Sequence, residues 1–548
     1  MQVEDEKEKQ PESVVEEAET TSAPTPAPIA VEKHSRLEYS DLEYLKLSKW
    51  QRFLYHIARF FLGIPAWFKN AGIAIWHFLK KCGLGVWHEI KDIGLTFVHG
   101  DWKTKISYGV MGFGSLARGQ ILRGILFLSF EVIFIVYMVF WGGYWLSMLP
   151  SLGKLGPAEE YNEELDTYIT VYHDNSFKIL LYGILTLFFI VAFIYTWRLN
   201  IKQNKISEEI LATGKKLKSG KQDLRSLVDD EFHKTLLALP VTGILVFTVM
   251  PILFMILVAF TNYSGATNNG YTNNLFSWIG WNNFNTLLNW KSGNTAYSAA
   301  FGEILGWTLM WAFFATFSNY FLGMLVAIMI NKKGIHFKKV WRTILVLTIA
   351  IPQFISLLYV SRMFADNGII IARLQQWHWV GDNFSFFGDK ANPWVSRLMV
   401  ILINIWIGIP YLMLIATGIL MNIPEDLYES ARIDGANVWQ QYTKITLPYM
   451  LFVTGPYLLT SFIGNMNNFN VIYLLTGGGP TNGAVSAASG SVGYTDLLIT
   501  WLYKITMGAN SEYYMASVIG ILVFVVSAVL SMIVYNFMPS NKHEEDYQ

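Results

Sequence analysis

The sequence has almost no cysteine and comparatively little charge. Cys82 is the one cysteine among 548 residues, so neither an internal disulfide nor a cysteine-based metal site can form. Charged residues make up 15% of the chain and cancel to a net charge of zero, which gives no indication of a nucleic-acid-binding protein. The acidic first residues lack the basic start and apolar core of a signal peptide, so we expect the N-terminus to stay in the cytoplasm.

Apolar and aromatic residues dominate instead, at 53% hydrophobic and 16% aromatic. A helix needs about 20 apolar residues to cross a bilayer. Prolines inside such a helix are tolerated, because neighbouring helices satisfy the freed backbone groups. Eight segments qualify and predict an all-α polytopic membrane bundle: 121–145, 177–197, 235–260, 303–330, 341–363, 396–420, 450–474 and 514–537.

The loops between these segments alternate in charge. Segments 198–234 and 331–342 carry nine and five Lys and Arg residues, whereas 263–302 carries only Lys291. Basic loops stay on the cytoplasmic side of a membrane. We therefore expect a multi-pass plasma-membrane protein with both termini and the loop 421–449 in the cytoplasm.

The ends of the chain differ from its middle. Residues 1–40, acidic and then rich in proline, predict a disordered cytoplasmic tail, and 541–548 form a short second tail. Residues 41–118 mix aromatic and basic side chains, which favours amphipathic helices in the membrane interface over a small soluble bundle. Residues 119–232 then hold the first two spans and a basic loop.

The loop between the sixth and seventh predicted spans has the pattern of two short helices. Residues from Glu425 onwards favour a helix, and Gly435 after Asp434 ends it, because glycine tolerates the left-handed conformation. A second short helix is expected from about Val438 to Lys444, ended by Pro448. We predict a rigid helix–turn–helix offered to a cytoplasmic partner.

This loop resembles the EAA loop of ABC importer permeases. The shared pattern is Glu-Ser-Ala-x-x-Asp-Gly-Ala followed later by Ile-x-Leu-Pro, with serine where the family usually has alanine. The resemblance implies that the loop seats in a cleft on an ATPase and that Glu429 helps to couple ATPase closure to the spans. The implied coupling residues are Glu429, Ser430, Ala431, Asp434, Gly435, Ala436, Ile445, Leu447 and Pro448.

Further stretches resemble the larger, eight-span permease subunit of maltose importers, namely 404–448, 461–469, 474–480, 493–498 and 503–505. The resemblance implies a type I ABC importer permease fold, with a core domain over 233–540 that contains the coupling loop 424–449. The best-known members carry a large folded domain between spans 3 and 4, where this chain has only about 40 residues (263–302).

The same resemblance implies a translocation subunit, not an enzyme, for maltose, maltodextrin or a related oligosaccharide. The expected partners are a second homologous permease, two copies of an ATP-binding cassette ATPase and an extracytoplasmic sugar-binding protein. ATP and magnesium would be held by the ATPase, and no cofactor is expected in this chain. Consistent with this, the glycine- and lysine-rich segment 214–221 lacks the spacing of a phosphate-binding loop.

The family's sugar-contacting positions correspond to Asn404, Ile407, Gly408, Tyr411, Ser461, Gly464, Asn465 and Asn468. Gly464 departs from the best-known maltose subunit, which has an aromatic residue there, and this departure leaves room for a longer or differently linked sugar. An unpaired amide is costly in lipid. The asparagines therefore serve either sugar contact or helix–helix bonding, and the second use is favoured for Asn467 and Asn470.

Two other classes of protein compete with this interpretation. A proton-coupled secondary sugar transporter would leave the segment 425–448 without a purpose. A membrane glycosyltransferase would need an acidic catalytic cluster near the membrane face, and the sequence offers no good candidate. Glu131, inside the first predicted span, is expected to pair with a neighbouring group and not to relay protons.

Overall fold

The computed structural model describes residues 47–265, 275–289, 296–332, 334–483, 492–508 and 510–537. The chain divides into two units, the first ending at His99 and the second beginning at Gly100. The predicted tails 1–40 and 541–548 lie outside the described residues.

A single helix, Lys49–His99, makes up the described part of the first unit. The alternative of a small helical bundle is wrong for these residues, because the helix does not fold back on itself. Trp76, Trp87 and Ile90 are exposed and recur with helical periodicity on one face, whereas Lys81 and His88 lie on the opposite face. The amphipathic pattern is thus present, and its position in the membrane interface stays a prediction.

Seven helices among the described residues are long and apolar enough to cross a membrane: Ile121–Met148, Ser176–Ala212, Phe232–Val258, Ala296–Asn331, Pro393–Leu420, Val438–Leu475 and Tyr513–Ile533. An eighth segment is a bent pair of helices, Lys338–Ala350 and Gln353–Met363. Counting this pair as one broken span gives the eight predicted spans. We number them 1 to 8 in chain order, with the bent pair as span 5.

Span 5 is not the continuous helix that the sequence predicted over 341–363. Its two halves meet at 90° around Pro352. Ile351 is extended, with ψ at 123°, because the ring of a following proline disfavours the helical conformation. Proline also cannot donate a backbone hydrogen bond, so the helix ends before it and restarts after it.

Span 7 begins inside the loop that follows span 6. The prediction that Pro448 ends a separate short helix is wrong, since the chain is helical without a break over 438–466. A π-helical turn, Tyr442–Thr446, lies just before Pro448. This wider turn accommodates a proline that cannot bond the carbonyl four residues earlier. The second helix of the loop is therefore the first part of span 7.

The residues just after His99 fold onto span 2. The Arg118 side chain is 1% exposed and bonds Asp101 at 2.6 Å and Glu208 at 3.1 Å. The structure thus draws the first boundary at His99, earlier than the predicted 118. In span 1, the Glu131 carboxylate accepts the backbone N–H of Met111 at 2.7 Å, which agrees with a paired acid.

The loop between spans 1 and 2 contains an antiparallel hairpin that the all-α prediction did not include. Its strands are Ala158–Asn162 and Thr167–Val171. The loop between spans 3 and 4 contains the short helix Asn282–Leu288, with 266–274 and 290–295 outside the described residues. The described fold is otherwise helical.

Spans 4 and 6 form the most extensive helix pair. Gly323 permits their close approach, because a Cβ there would lie only 2.6 Å from the Cβ of Leu412. Met324 and Met413 are fully buried around this contact. Small residues at helix contacts are a general device of membrane bundles, where apolar surface alone gives little drive to associate.

Gly323→Ala is expected to destabilise the protein by about 1–3 kcal/mol, because the added methyl overpacks the contact with span 6. Gly306→Ala in the same span is the control, since nothing lies within 4 Å of its Cβ position. The measurement is thermal unfolding of the purified protein in detergent. Equal melting temperatures for the two variants would contradict the packing argument.

Candidate functional site

The first helix of the loop between spans 6 and 7, Glu425–Ile433, ends in a fully bonded turn. Gly435 has φ at 77°, which confirms the predicted left-handed glycine. The N–H of Ala436 donates to the carbonyl of Ala431 at 2.8 Å, and the N–H of Gly435 donates to Arg432 at 3.0 Å. This pair of bonds is the Schellman arrangement, which satisfies carbonyls that a helix end leaves free.

The second helix of the loop starts with a reciprocal cap. The Asn437 side chain accepts the N–H of Gln440, and the Gln440 side chain accepts the N–H of Asn437, both at 2.8 Å. A hydrogen bond of 2.8 Å between the hydroxyls of Tyr428 and Thr446 also joins the first helix of the loop to the start of span 7. With both ends bonded, the loop is a rigid projection of span 7.

The predicted coupling residues surround this projection. Glu429, Ser430, Asp434 and Gly435 are exposed, and Pro448 is exposed at the base. Ala431, Ala436, Ile445 and Leu447 are half-buried. A cavity of about 330 Å³ opens between the two helices, and its lining includes five of these residues: Ala431, Asp434, Gly435, Ala436 and Ile445.

Sequence reasoning missed three apolar residues of the loop. Ile433, Val438 and Trp439 are 87%, 82% and 70% exposed. Large apolar side chains at such exposure are a feature of contact surfaces. Their presence in a loop that is otherwise polar was the available signal.

On span 6, the predicted sugar residues Asn404, Gly408 and Tyr411 lie along one face, with spacings of four and three residues. Asn404 is buried and Tyr411 is 52% exposed. Ile407, three residues after Asn404 and four before Tyr411, borders this face and is half-buried against the hydrophobic cluster that contains Trp311. The structure thus places the four span 6 positions on one side of the helix, with Ile407 at its apolar edge.

On span 7, Ser461, Gly464 and Asn465 also share a face, and Asn468 follows the end of this helix, where its amide donates to the Asn465 side chain at 3.4 Å. Ser461 is half-buried. Gly464 is exposed, and nothing lies within 4 Å of its Cβ position. The absent aromatic ring therefore leaves open space in this chain.

Asn465 and Asn468 make the hydrogen bonds at the break in span 7, between its helices Leu447–Met466 and Phe469–Leu475. The Asn465 amide donates to Thr316 of span 4 at 2.9 Å, and its backbone carbonyl accepts the indole N–H of Trp311 at 3.1 Å. The Asn468 side chain accepts the N–H of Val471 at 3.3 Å, which caps the next short helix. The amides thus link two spans and fix the chain where span 7 is interrupted.

The expectation that Asn467 and Asn470 bond other helices is wrong within the described chain. Both are exposed, and the Asn467 amide donates to the carbonyl of Ile463 in its own helix. Asn465 makes the bond between helices instead. Asn467 follows Asn465 by two residues, on the opposite side of the helix end, and Asn470 belongs to the next short helix, Phe469–Leu475.

One buried amide near these residues was not predicted. Asn319 of span 4 is 7% exposed and lies against Gly408, where a Cβ would be 2.5 Å from its Nδ2 atom. Thr316, three residues earlier on the same helix, holds Asn465. A line of amides therefore runs from Asn404 on span 6 across span 4 to Asn465 on span 7.

A glycine-rich loop that begins at Gly477–Gly479, together with residues 492–497, packs near the first part of span 4. The indole N–H of Trp307 donates to the carbonyl of Thr495 at 3.1 Å. The fully buried Asp496 carboxylate accepts a hydrogen bond from the Lys504 ammonium at 2.7 Å. Burial raises the pKa of Asp496 above its usual range, although Lys504 acts in the opposite direction. The ion pair lies beside Gly478, where a side chain would collide with the carboxylate.

Comparison with known proteins gives matches over most of the chain. Residues 319–542 match the family described as binding-protein-dependent transport system inner membrane component. The chain is 31% identical over 435 residues to the maltodextrin transport system permease protein MalC of Streptococcus pneumoniae serotype 4, which covers 78% of this chain and 93% of that protein.

Two further relatives are also described as permease proteins of sugar transport systems. The chain is 32% identical over 453 residues to the galactooligosaccharides transport system permease protein GanP of Bacillus subtilis, covering 80% of this chain and 97% of that protein. It is 33% identical over 265 residues to the maltose/maltodextrin transport system permease protein MalF of Vibrio vulnificus, covering 47% and 48% respectively. The family match includes spans 6 and 7 and the loop between them.

Gly435→Ala is expected to destabilise the loop by about 1 kcal/mol, because an L side chain strains the left-handed conformation at the end of the first helix. The control is Gly418→Ala in span 6, which has open space at its Cβ position and no positive φ. Hydrogen exchange of the loop amides measures the difference. Unchanged protection of Ala436 in the Gly435 variant would contradict the assignment of the turn.

Proposed function

Since the chain belongs to the family of binding-protein-dependent transport system inner membrane components, among the sugar permeases of ABC importers, we propose that it is the gating subunit of an oligosaccharide importer. The favoured substrates are maltodextrins or related oligosaccharides. The loop formed by Glu425–Ile433 and the start of span 7 carries this proposal. Nothing in the family or in the relatives favours a proton-coupled carrier.

The loop suits docking to a separate ATPase. It projects exposed Glu429 together with exposed apolar side chains, of which Ile433 and Val438 are the most exposed near the turn. Its second helix continues into span 7, so force applied to the loop acts directly on a span. In this proposal the ATPase holds ATP and magnesium, and this chain contributes motion and a pathway without catalysis.

The substrate assignment rests on the line of amides. Carbohydrate hydroxyls need donors and acceptors in fixed positions, together with apolar or aromatic surfaces. Asn404, Tyr411, Ser461, Asn465 and Asn468 would supply these groups at the depth where importers bind their cargo. Similarity to a galactooligosaccharides permease and the open space at Gly464 extend the candidate substrates beyond maltodextrins.

The proposed assembly contains four kinds of subunit. A second homologous permease would pair with this chain, two ATPase copies would bind the cytoplasmic loops, and a binding protein would deliver sugar from outside. The chain lies in a bacterial membrane and crosses it several times. We propose that both termini face the cytoplasm, on the strength of the basic loops 198–234 and 331–342.

Glu429→Gln is expected to lower oligosaccharide uptake by about 10-fold or more while ATP hydrolysis continues, because the charge that couples the two subunits is lost. The measurement is uptake of labelled oligosaccharide and ATPase activity in proteoliposomes that contain the assembled importer. Asp426→Asn is the matched control, since Asp426 is exposed on the same helix one turn away.

Normal uptake by the Glu429 variant would contradict the coupling role. Loss of uptake on adding a protonophore, with ATP held constant, would instead favour a proton-coupled carrier.

Gly464→Phe is expected to fold normally, because its Cβ points into open space, and to narrow the range of sugars taken up. The measurement is uptake of maltose, maltotetraose, maltoheptaose and a galactotetraose by cells with the native or variant chain. The longer or differently linked sugars should lose more uptake than maltose. An unchanged order of preference would place Gly464 outside the sugar pathway.

A further inference from the structure

Span 4 carries buried polar side chains towards spans 6 and 7, and most of them are paired. Thr316 accepts the amide of Asn465 at 2.9 Å, and the hydroxyls of Tyr320 and Thr454 share a bond of 2.9 Å. Asn319 differs from these neighbours. Its Oδ1 atom has no hydrogen-bond partner among the described residues, although the side chain is 7% exposed.

A second unpaired amide atom lies close by on span 6. The Nδ2 atom of Asn404 has no partner in the described part of the chain, and this side chain is 5% exposed. Gly408 is one helical turn beyond Asn404 on the same face, and Asn319 rests directly on it. An unpaired acceptor and an unpaired donor therefore flank the same contact between spans 4 and 6.

We propose that Asn319 is a substrate-binding residue and that it pairs with Asn404 to hold sugar hydroxyls. A hydroxyl can donate to the Asn319 carbonyl and accept from the Asn404 amide, so one hydroxyl or two neighbouring ones satisfy both atoms. Leaving both atoms unpaired inside a bundle is costly, and a bound polyol removes that cost. This inference rests on the proposed function as an oligosaccharide permease.

The position of Asn319 favours a sugar over a partner subunit as the ligand. Asn319 of span 4 and Asn404 of span 6 are both buried beside the contact between these two helices, and not on the outer surface of the chain. Thr316, on the neighbouring turn of span 4, is bonded to Asn465 on the span 7 face that carries the predicted sugar residues. Asn319 thus lies between the two groups of sugar positions.

Gly408 has a specific part in this arrangement. A Cβ at this position would lie 2.5–2.8 Å from three atoms of the Asn319 amide. The glycine therefore makes room for the amide to lie beside span 6. On this account the Gly408 contact with sugar is indirect and acts through the placement of Asn319.

The test uses the assembled importer, purified in detergent with its second permease and ATPase and trapped with ATP and vanadate. The probe is the labelled oligosaccharide of the uptake panel that the native importer takes up fastest. Asn319→Leu and Asn319→Ala should each weaken retention of this probe by about 10-fold or more, because the hydroxyl loses its acceptor. Asn467→Leu is the control, since Asn467 is exposed and bonds within its own helix.

Native-like retention in both Asn319 variants would overturn the proposal and leave the proposed function standing, because the native importer still binds sugar. Failure of the native importer to take up any sugar of the panel would overturn the proposed function and this inference with it. If neither Asn319 variant assembles with the second permease while Asn467→Leu does, the amide belongs to subunit packing and the proposal falls.

A double variant separates packing from binding. Gly408→Ala alone should lower both the melting temperature and sugar retention, since its methyl group displaces the Asn319 amide. Gly408→Ala combined with Asn319→Ala removes the collision, so the melting temperature should recover while retention stays low. Recovery of retention in the double variant would overturn the role of Asn319.

Discussion

One continuous helix joins the loop 424–449 to the line of amides, and the proposed coupling depends on this helix. Residues 438–466 are helical throughout, a length of about 43 Å at 1.5 Å per residue. The reciprocal cap of Asn437 and Gln440 fixes one end, and Asn465 is bonded to span 4 near the other. In the proposed mechanism, a displacement of the loop would therefore be transmitted along span 7 to the residues proposed to hold sugar.

A second constraint is the cost of unpaired polar groups inside a membrane bundle. Most buried polar side chains on span 4 meet this constraint by bonding to span 7 or to the glycine-rich loop, as Thr316 and Trp307 do. Gly323 and Gly408 let spans 4 and 6 pack closely against each other. Asn319 and Asn404 retain unpaired atoms at this close contact, which is why we assign them to ligand binding.

The number of spans and the chemistry of the loop could be predicted from the sequence, because both depend on local properties. Apolar length predicts a span, and a glycine after a helical pattern predicts the left-handed turn found at Gly435.

The effect of proline was not predictable in this way. Pro352 breaks span 5 and Pro448 is accommodated by a π-helical turn, whereas Pro410 and Pro456 lie inside helices. Tertiary packing decides among these outcomes.

The asparagines also show that sequence alone does not reveal which residues a side chain contacts. The family resemblance named Asn465 and Asn468 as sugar positions, whereas helix–helix bonding was expected of Asn467 and Asn470, which the structure leaves exposed. Asn319 went unnoticed because a single amide in an apolar helix carries no sign of what it faces. Its position against Gly408 is a long-range contact, and only the packing of spans 4 and 6 reveals it.

The most direct test of the account is a pair of distances measured by electron spin resonance in the assembled importer, with and without trapped ATP. The exposed Cys82 is first replaced by serine so that labels attach only at introduced cysteines. Labels at Val438 and Asn467 should keep one narrow distance in both states, because span 7 moves as a rigid body. Labels at Tyr411 and Gly464 should change their separation when ATP binds. A changing Val438–Asn467 distance with a fixed Tyr411–Gly464 distance would contradict the account.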